Sequence, residues 1–207
     1  MPSDQQEALA PVLRDIHAYW FGPLSSPTAR NPEKSEIWFK QSDETDAHIR
    51  DTYGRYIDEA AAIDWDLDAL SREEQVGLII LLDQFPRNIH RDSGQAFAYD
   101  AKVLAITDAL IAAGLYRFYL VEQAFVGIPL QHSEDIADQD RALLVYAQQA
   151  ISAPDDWKDL KRTWLDFACK HREIIRKFGR YPHRNEVLGR PSTEEEVAFM
   201  KEHGRGY

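Results

Sequence analysis

The stretch "DDWKDLKRTWLDFACKHREIIRKF", residues 155–178, predicts one long helix that runs up to Gly179. Arg176 and Lys177 fall in its last turn, where positive charge interacts favourably with the negative end of the helix dipole. Glycine readily adopts the left-handed conformation that follows many helices, and Pro182 prevents the helix from resuming. The stretch therefore has the length and the end signals of a complete helix.

Helical signals also fill the segments on either side of this stretch. Apolar residues recur at helical spacing, whereas the alternation and hairpin signals of strands are nearly absent. The other predicted helix ends are a stop at Gly22 and Pro23, a capping box of Ser71 with Glu74, stops at Pro86, Gly114 and Pro129, N-caps at Asp100 and Ser133, and a last start near Ser192 or Thr193. The sequence therefore predicts an all-α fold of antiparallel helix pairs, forming a single domain over residues 1–207.

Composition indicates a cytoplasmic protein that does not enter a membrane. The longest apolar runs, such as "VGLIILL", are far shorter than the roughly 18 residues of a membrane-spanning helix. The N-terminus is polar and acidic, unlike a signal peptide. The single cysteine, Cys169, cannot form an internal disulfide, and we expect it to be packed in the core beside Trp164 and Ala168.

Charge is distributed unevenly along the chain. The net charge of −11 argues against nucleic-acid binding, which needs a basic face. Residues 161–190 nevertheless carry nine Lys or Arg and three Asp or Glu, so this segment is +6 and the remainder is −17. A basic segment in an acidic protein either pairs with acidic helices or meets an anionic ligand, and both readings stay open.

Polar residues concentrate in four clusters at predicted helix ends, where a fold can direct them to one place. The first cluster contains Asp83, Gln84, Arg87, Asn88, His90 and Arg91, and the second contains His132, Ser133, Glu134, Asp135 and Gln139. The third contains His171, Arg172 and Glu173, and the fourth contains Arg180, His183, Arg184, Asn185 and Arg190.

Two interpretations apply to the arginines of these clusters. Asp83 ends an almost entirely apolar helix, so its carboxylate needs a partner, and a nearby arginine can provide one. Helix capping does not require the polar residues after Pro182, and guanidinium forks suit carboxylates and phosphates. The candidate ligand-binding residues are Arg87, Asn88, Arg91, His132, Arg172, Arg180, His183, Arg184, Asn185 and Arg190. The alternative is a structural network of arginines that holds the loops.

Catalytic residues can be suggested, although whether the protein is an enzyme stays open. Helix capping accounts for Ser133, Glu134 and Asp135 but not for His132, which could act as a general acid or base. The catalytic candidates are His132, His183, Asp83 and Glu134. No cofactor motif occurs, and we predict no metal site because ligand spacings such as HExxH are absent and the nearby arginines would oppose a cation.

Several motifs occur in order along nearly the whole chain. They are "YWFG" (19–22), "WF" (38–39), "LIILLDQFPRNIHR" (78–91), "AFAYD" (96–100), "PLQHSED" (129–135) followed by Gln139, and "FGRYPHRNEVLGRPSTEEE" (178–196). Together they resemble a bacterial family, the domain of unknown function numbered 924. The resemblance implies an all-α fold similar to tetratricopeptide-like helical arrays, in the cytoplasm. It implies no established activity, cofactor or catalytic residue.

Three hypotheses about function follow, and each predicts a different arrangement. A binding module would expose the arginines along a groove that recognises an anionic group of a peptide or small metabolite. An enzyme, a hydrolase or lyase acting on a small anionic substrate, would place a histidine within hydrogen-bond reach of a carboxylate and facing a cavity. A scaffold would pair every arginine with a carboxylate. If a site exists, we expect it where the "DQFPRN" and "PHRN" turns face each other.

Overall fold

The computed structural model describes residues 3–204, apart from the side chain of Phe39, and these residues contain helices and no strand. Eleven α-helices lie in the described range: α1 (Asp4–Phe21), α2 (Ser35–Phe39), α3 (Asp43–Tyr53), α4 (Arg55–Ala62), α5 (Arg72–Ile79), α6 (Phe85–Ile89), α7 (Asp100–Ala113), α8 (Leu120–His132), α9 (Ile136–Ser152), α10 (Lys158–Phe178) and α11 (Glu194–His203). The all-α prediction is confirmed. Within residues 3–204 no helix is both long enough and apolar enough to cross a membrane.

The chain divides into two compact units. The first unit contains the described residues up to Arg91 together with Gln95–Val126, and the second contains Asp92–Gly94 and the described residues from Gly127 onward. The single domain over residues 1–207 stays a prediction.

In the first unit, α1 and α5 pack closely and run antiparallel. Arg14 bonds to Glu74, and Leu13 lies opposite Gly77. A Cβ atom added to Gly77 would lie 2.8 Å from the carbonyl carbon of Leu13, so only glycine allows this approach of the two backbones. Aromatic rings fill the adjacent core, with Phe125 6.0 Å from Trp20 and 5.3 Å from Phe21 between ring centroids.

A π-turn joins α5 to α6. Residues Ile80–Gln84 form a single turn of π-helix, in which the N–H of Phe85 donates to the carbonyl of Ile80. The helix therefore continues through Pro86 instead of ending there, and the predicted stop is wrong. A proline in an α-helix crowds the carbonyl four residues earlier, and a locally wider turn relieves that crowding.

In the second unit, α9 and α10 form an antiparallel hairpin. Lys161 donates to Gln149 at one end, and Arg172 donates to Asp140 at the other. Gly179 ends α10 in the left-handed conformation with φ of 67°, as predicted. The predicted stops at Gly22 and Gly114 and the capping box at Ser71 are also confirmed.

Besides Pro86, three predicted helix ends differ because tertiary contacts compete with local signals. Asp100 begins α7 without capping it, since its carboxylate accepts both Nη2 hydrogen bonds of Arg87. Pro129 lies inside α8, whose last carbonyls are held by the buried side chain of Gln139. The N-cap of α9 is Asp135, not Ser133.

The prediction that Cys169 is a core thiol is wrong, because the cysteine is exposed. The buried face of α10 includes Trp164, Ala168 and Ile175. Each residue turns about 100° around a helix, so Cys169 points away from the face that contains Ala168. A run of apolar neighbours in sequence did not identify the buried face.

Candidate functional site

The arginines of the first cluster pair with carboxylates inside the first unit. The guanidinium of Arg87 bonds to Asp100 at 2.8 and 3.0 Å and lies 3.4 Å from the fully buried Asp83. Gln84 also donates to Asp83. These contacts connect the π-turn to the start of α7, which is the structural network considered for Asp83.

Asp46 is the partner of the other two candidates in this cluster. It accepts hydrogen bonds from Arg91 at 2.6 and 2.7 Å and from Asn88 at 2.8 Å. Burial would raise the pKa of Asp46, but these donors hold it below its ordinary value. Arg91 and Asn88 therefore connect α6 to α3, a contact that no local sequence signal indicated.

In the second unit, Glu134 holds the loop that follows α10. Its carboxylate accepts two hydrogen bonds from Arg190, at 2.6 and 3.0 Å, and one from the backbone N–H of Tyr181 at 2.8 Å. Burial would raise the pKa of Glu134, but the bonds from Arg190 and Tyr181 hold it below its ordinary value. Arg190 also donates to Asn185 at 3.0 Å.

The same loop is connected to α11 through Glu196. Arg180 donates to its two oxygens at 2.7 and 2.9 Å, and Asn185 donates to it at 3.2 Å. These bonds lower the pKa of Glu196 to about 2, with the Arg180 bond as the largest cause. Glu196 also accepts from the N–H of Thr193 and completes the capping box of α11.

Three histidine or arginine side chains pack around the buried ring of Tyr181. The ring centroid lies 4.5 Å from the Arg184 guanidinium carbon, 5.4 Å from the His183 ring and 5.8 Å from the His171 ring. The Tyr181 hydroxyl donates to the carbonyl of Gln131 at the end of α8. The second, third and fourth clusters are thus brought together in the second unit.

The pKa of His171 is lowered by burial and, to a smaller extent, by neighbouring positive charge. Burial, followed by the positive charges of His132 and Arg184, lowers the pKa of His171 to about 4. Its Nδ1–H donates to the carbonyl of Phe167 at 2.8 Å, so neutral His171 has its lone pair on Nε2. His171 is therefore neutral at physiological pH.

The arginine of the third cluster lies farther out on α10. Arg172 donates to Asp140 at 2.5 Å and lies 3.5 Å from Glu173. A cavity of about 510 Å³ lies beside Glu134, Asp135 and Arg176. Its lining carries two carboxylates and one guanidinium, so its charge does not favour an anion.

The first unit also contains a histidine–carboxylate pair that no sequence pattern indicated. His17 Nε2 lies 2.6 Å from Glu122 Oε1, and both side chains are buried. His17 also lines a cavity of about 530 Å³ together with Arg14 and Arg72. The two residues of the pair are 105 positions apart, and a histidine on the buried side of α1 carries no signal of its own.

Within residues 3–204, no group of three or more His, Cys, Asp or Glu side chains is placed to hold a metal ion.

The structure defines an all-α protein whose helix ends are held by arginine–carboxylate pairs, with histidines gathered around a buried tyrosine. The chain belongs to a family described as bacterial protein of unknown function, DUF924, which it matches over residues 16–204. This confirms the resemblance drawn from the motifs.

The chain also resembles a protein whose structure has been solved. It is similar to the structure of ATU0120, a protein of unknown function from Agrobacterium tumefaciens, with 30% sequence identity and a TM-score of 0.75. The similarity covers 94% of this chain and 99% of ATU0120. No curated protein matches the chain.

Proposed function

We propose that the protein binds an anionic group, a carboxylate or phosphate of a small metabolite or peptide, at the histidine–arginine cluster of the second unit. This cluster consists of His171, His183 and Arg184, which pack around Tyr181, and of His132, whose charge acts on His171. The observation that carries the proposal is the convergence of side chains from α10 and from the loop that follows it onto one ring.

The charges in this cluster support recognition of an anion. Arg184 is permanently charged, and each of the three imidazole rings carries at least one N–H donor. Positive neighbours contribute to lowering the pKa of His171, so an anion bound beside them would relieve an existing repulsion. Binding should therefore raise the pKa of His171.

The other candidate ligand residues support the fold in this proposal. Arg87, Arg91, Arg172, Arg180 and Arg190 each pair with a carboxylate, and Asn88 and Asn185 contribute to the same networks. These contacts account for a structural role, which was one of the open alternatives. Glu134 and Asp83, suggested as catalytic carboxylates, are part of the same networks.

A tetratricopeptide-like array in the cytoplasm stays part of the proposal. The antiparallel hairpin of α9 and α10 resembles one unit of such an array. The pairing of α1 with α5 does not, because repeated hairpins join helices that are neighbours in sequence.

Thermal unfolding in the presence of inorganic phosphate and short acidic peptides tests the proposal. A ligand at 100 times its Kd stabilises the folded state by about 2.7 kcal/mol, which raises the Tm by several degrees. Arg184→Ala and His183→Gln should remove this increase. Arg162→Gln, which removes one exposed charge from α10, the helix that carries His171, should leave the increase in Tm unchanged.

Two results would contradict the proposal. Stabilisation that survives Arg184→Ala would place the ligand elsewhere. No stabilisation by any of the anions would favour the scaffold hypothesis, in which the charged pairs serve only the fold.

A further inference from the structure

The pocket beside His17 in the first unit has the features of a second site. We propose that it binds a small monocarboxylate and that His17 exchanges a proton with this ligand. The site is separate from the cluster in the second unit and rests on different residues.

The position of Glu122 determines which nitrogen of His17 carries the proton. Glu122 Oε1 accepts from Arg72 as well as from His17, and Oε2 accepts the backbone N–H of Tyr119 at 2.7 Å. A carboxylate that accepts several hydrogen bonds assigns the imidazole proton to Nε2. Nδ1 is then the basic nitrogen, and within residues 3–204 it makes no hydrogen bond.

Glu122 is a positioning residue in this arrangement. Its fully buried carboxylate fixes the orientation of the imidazole and stabilises the positive charge that forms when Nδ1 takes a proton. The stacking of Arg72 on Tyr119, 3.5 Å from the ring centroid, holds the other side of the carboxylate in place.

Arg14 supplies the group that would recognise the ligand. Its side chain is 53% exposed and uses Nη1 to bind Glu74. Within the described residues its Nε and Nη2 groups make no hydrogen bond, so they can donate to a carboxylate in the pocket.

The remaining charges limit the ligand to a single negative charge. The lining carries the guanidinium groups of Arg14 and Arg72 and one carboxylate, that of Glu73, whose pKa is lowered despite burial by a backbone hydrogen bond and by Arg72. One negative charge balances this lining, and a phosphate dianion would exceed it. Pro23 and Leu24 in the wall suit a short apolar tail.

Binding would follow a simple proton balance. The carboxylate enters as an anion, and one proton from solvent adds to His17 Nδ1. The imidazolium then donates that proton in a hydrogen bond to a carboxylate oxygen, while a second oxygen accepts from Arg14. A ligand that enters as the protonated acid instead gives its proton to Nδ1, and the electron pair of its O–H bond stays on the carboxylate oxygen.

Calorimetric titration of the full chain with butyrate tests both parts of the proposal. Titrations at neutral pH in two buffers of different ionisation enthalpy give the affinity and the number of protons taken up. We expect saturable binding with net proton uptake. Arg14→Gln, at a half-exposed side chain, should weaken binding at least tenfold, whereas Arg50→Gln, an exposed control on α3, should not.

His17→Gln tests the proton transfer separately, since its amide can still donate to Glu122. It should abolish proton uptake, and circular dichroism establishes that this variant is folded. If His17→Gln does not fold, the Arg14→Gln comparison still decides the binding site. Loss of binding in Arg14→Gln, at a residue of the first unit, distinguishes this site from the cluster in the second unit.

Four results would overturn the proposal: no saturable heat with butyrate, unchanged affinity in Arg14→Gln, proton uptake that persists in folded His17→Gln, or tighter binding of inorganic phosphate than of butyrate.

Discussion

Replacing Lys161 with methionine should change how stability depends on pH. Lys161 is fully buried between Trp157 and Trp164, with its Nζ 5.5 and 4.4 Å from their ring centroids and 2.8 Å from Gln149 Oε1. Burial lowers the pKa of Lys161 from 10.5 to about 7. Between these values the unfolded chain holds a proton that the folded protein does not.

The stability of the native protein should therefore rise with pH across this window. Linkage of the two pKa values gives an increase in the free energy of unfolding of about 2.5 kcal/mol between about pH 6.5 and about pH 9. The largest cost of burying Lys161 falls below pH 7, where the folded protein carries the charge.

Lys161→Met removes this titration while keeping an unbranched side chain between the two tryptophans. Loss of the bond to Gln149 and changes in packing do not depend on pH. They cancel when the difference in unfolding free energy between native and variant is compared at two pH values. Urea unfolding at pH 6.5 and 9 measures that difference. The unfolding free energy of Lys161→Met relative to that of the native protein should fall by about 2.5 kcal/mol between the two pH values.

A constant difference between the two pH values would refute the reasoning. It would mean that the tryptophan faces and Gln149 replace the hydration of the ammonium group, because cation–π contacts favour the charged form. The pKa of Lys161 in the folded protein would then lie near its ordinary value.

Two further predictions concern packing and acid stability. Gly77→Ala should lower the free energy of unfolding by about 2–3 kcal/mol or more, because its Cβ would meet the backbone of α1. Gly127→Ala should cost about 1 kcal/mol or less, because the nearest neighbour of the added Cβ is a side chain. Thermal unfolding of the two variants compares these costs. Glu196 has a lowered pKa, so its contribution is present above its ordinary pKa of 4.5 and is lost as pH falls towards 2. Arg180→Gln should therefore reduce the free energy of unfolding at pH 7 and reduce it much less at pH 2.5, where an equal loss would contradict this expectation.

The sequence predicted helix ends well where the signal is local. Gly22, Gly114 and Gly179 end helices because glycine tolerates the positive φ that follows their last turns. The capping boxes at Ser71 and Thr193 depend on residues three positions apart. In each of these cases one turn of chain contains all the required information.

Predictions of helix ends and of side-chain pairs failed where they depend on contacts between residues that are distant in sequence. Pro129 lies inside α8 because Gln139 holds the following turn, and Pro86 lies inside a helix because a π-turn precedes it. The same limit applies to the candidate sites. The sequence identified the polar clusters, but it could not show that Asp46 pairs with Arg91 or that Glu122 pairs with His17.

The π-turn at Ile80–Gln84 is equivalent to an α-helix into which one residue has been inserted. Deleting one residue of this turn would close it as an ordinary α-helical turn, and the helix beyond it would keep nearly the same orientation. Arg87 and Arg91 would still face Asp100 and Asp46, but Pro86 would then crowd the carbonyl four residues earlier. The extra residue in "LIILLDQFPRN" thus lets the helix pass through the proline without changing which way its arginines face.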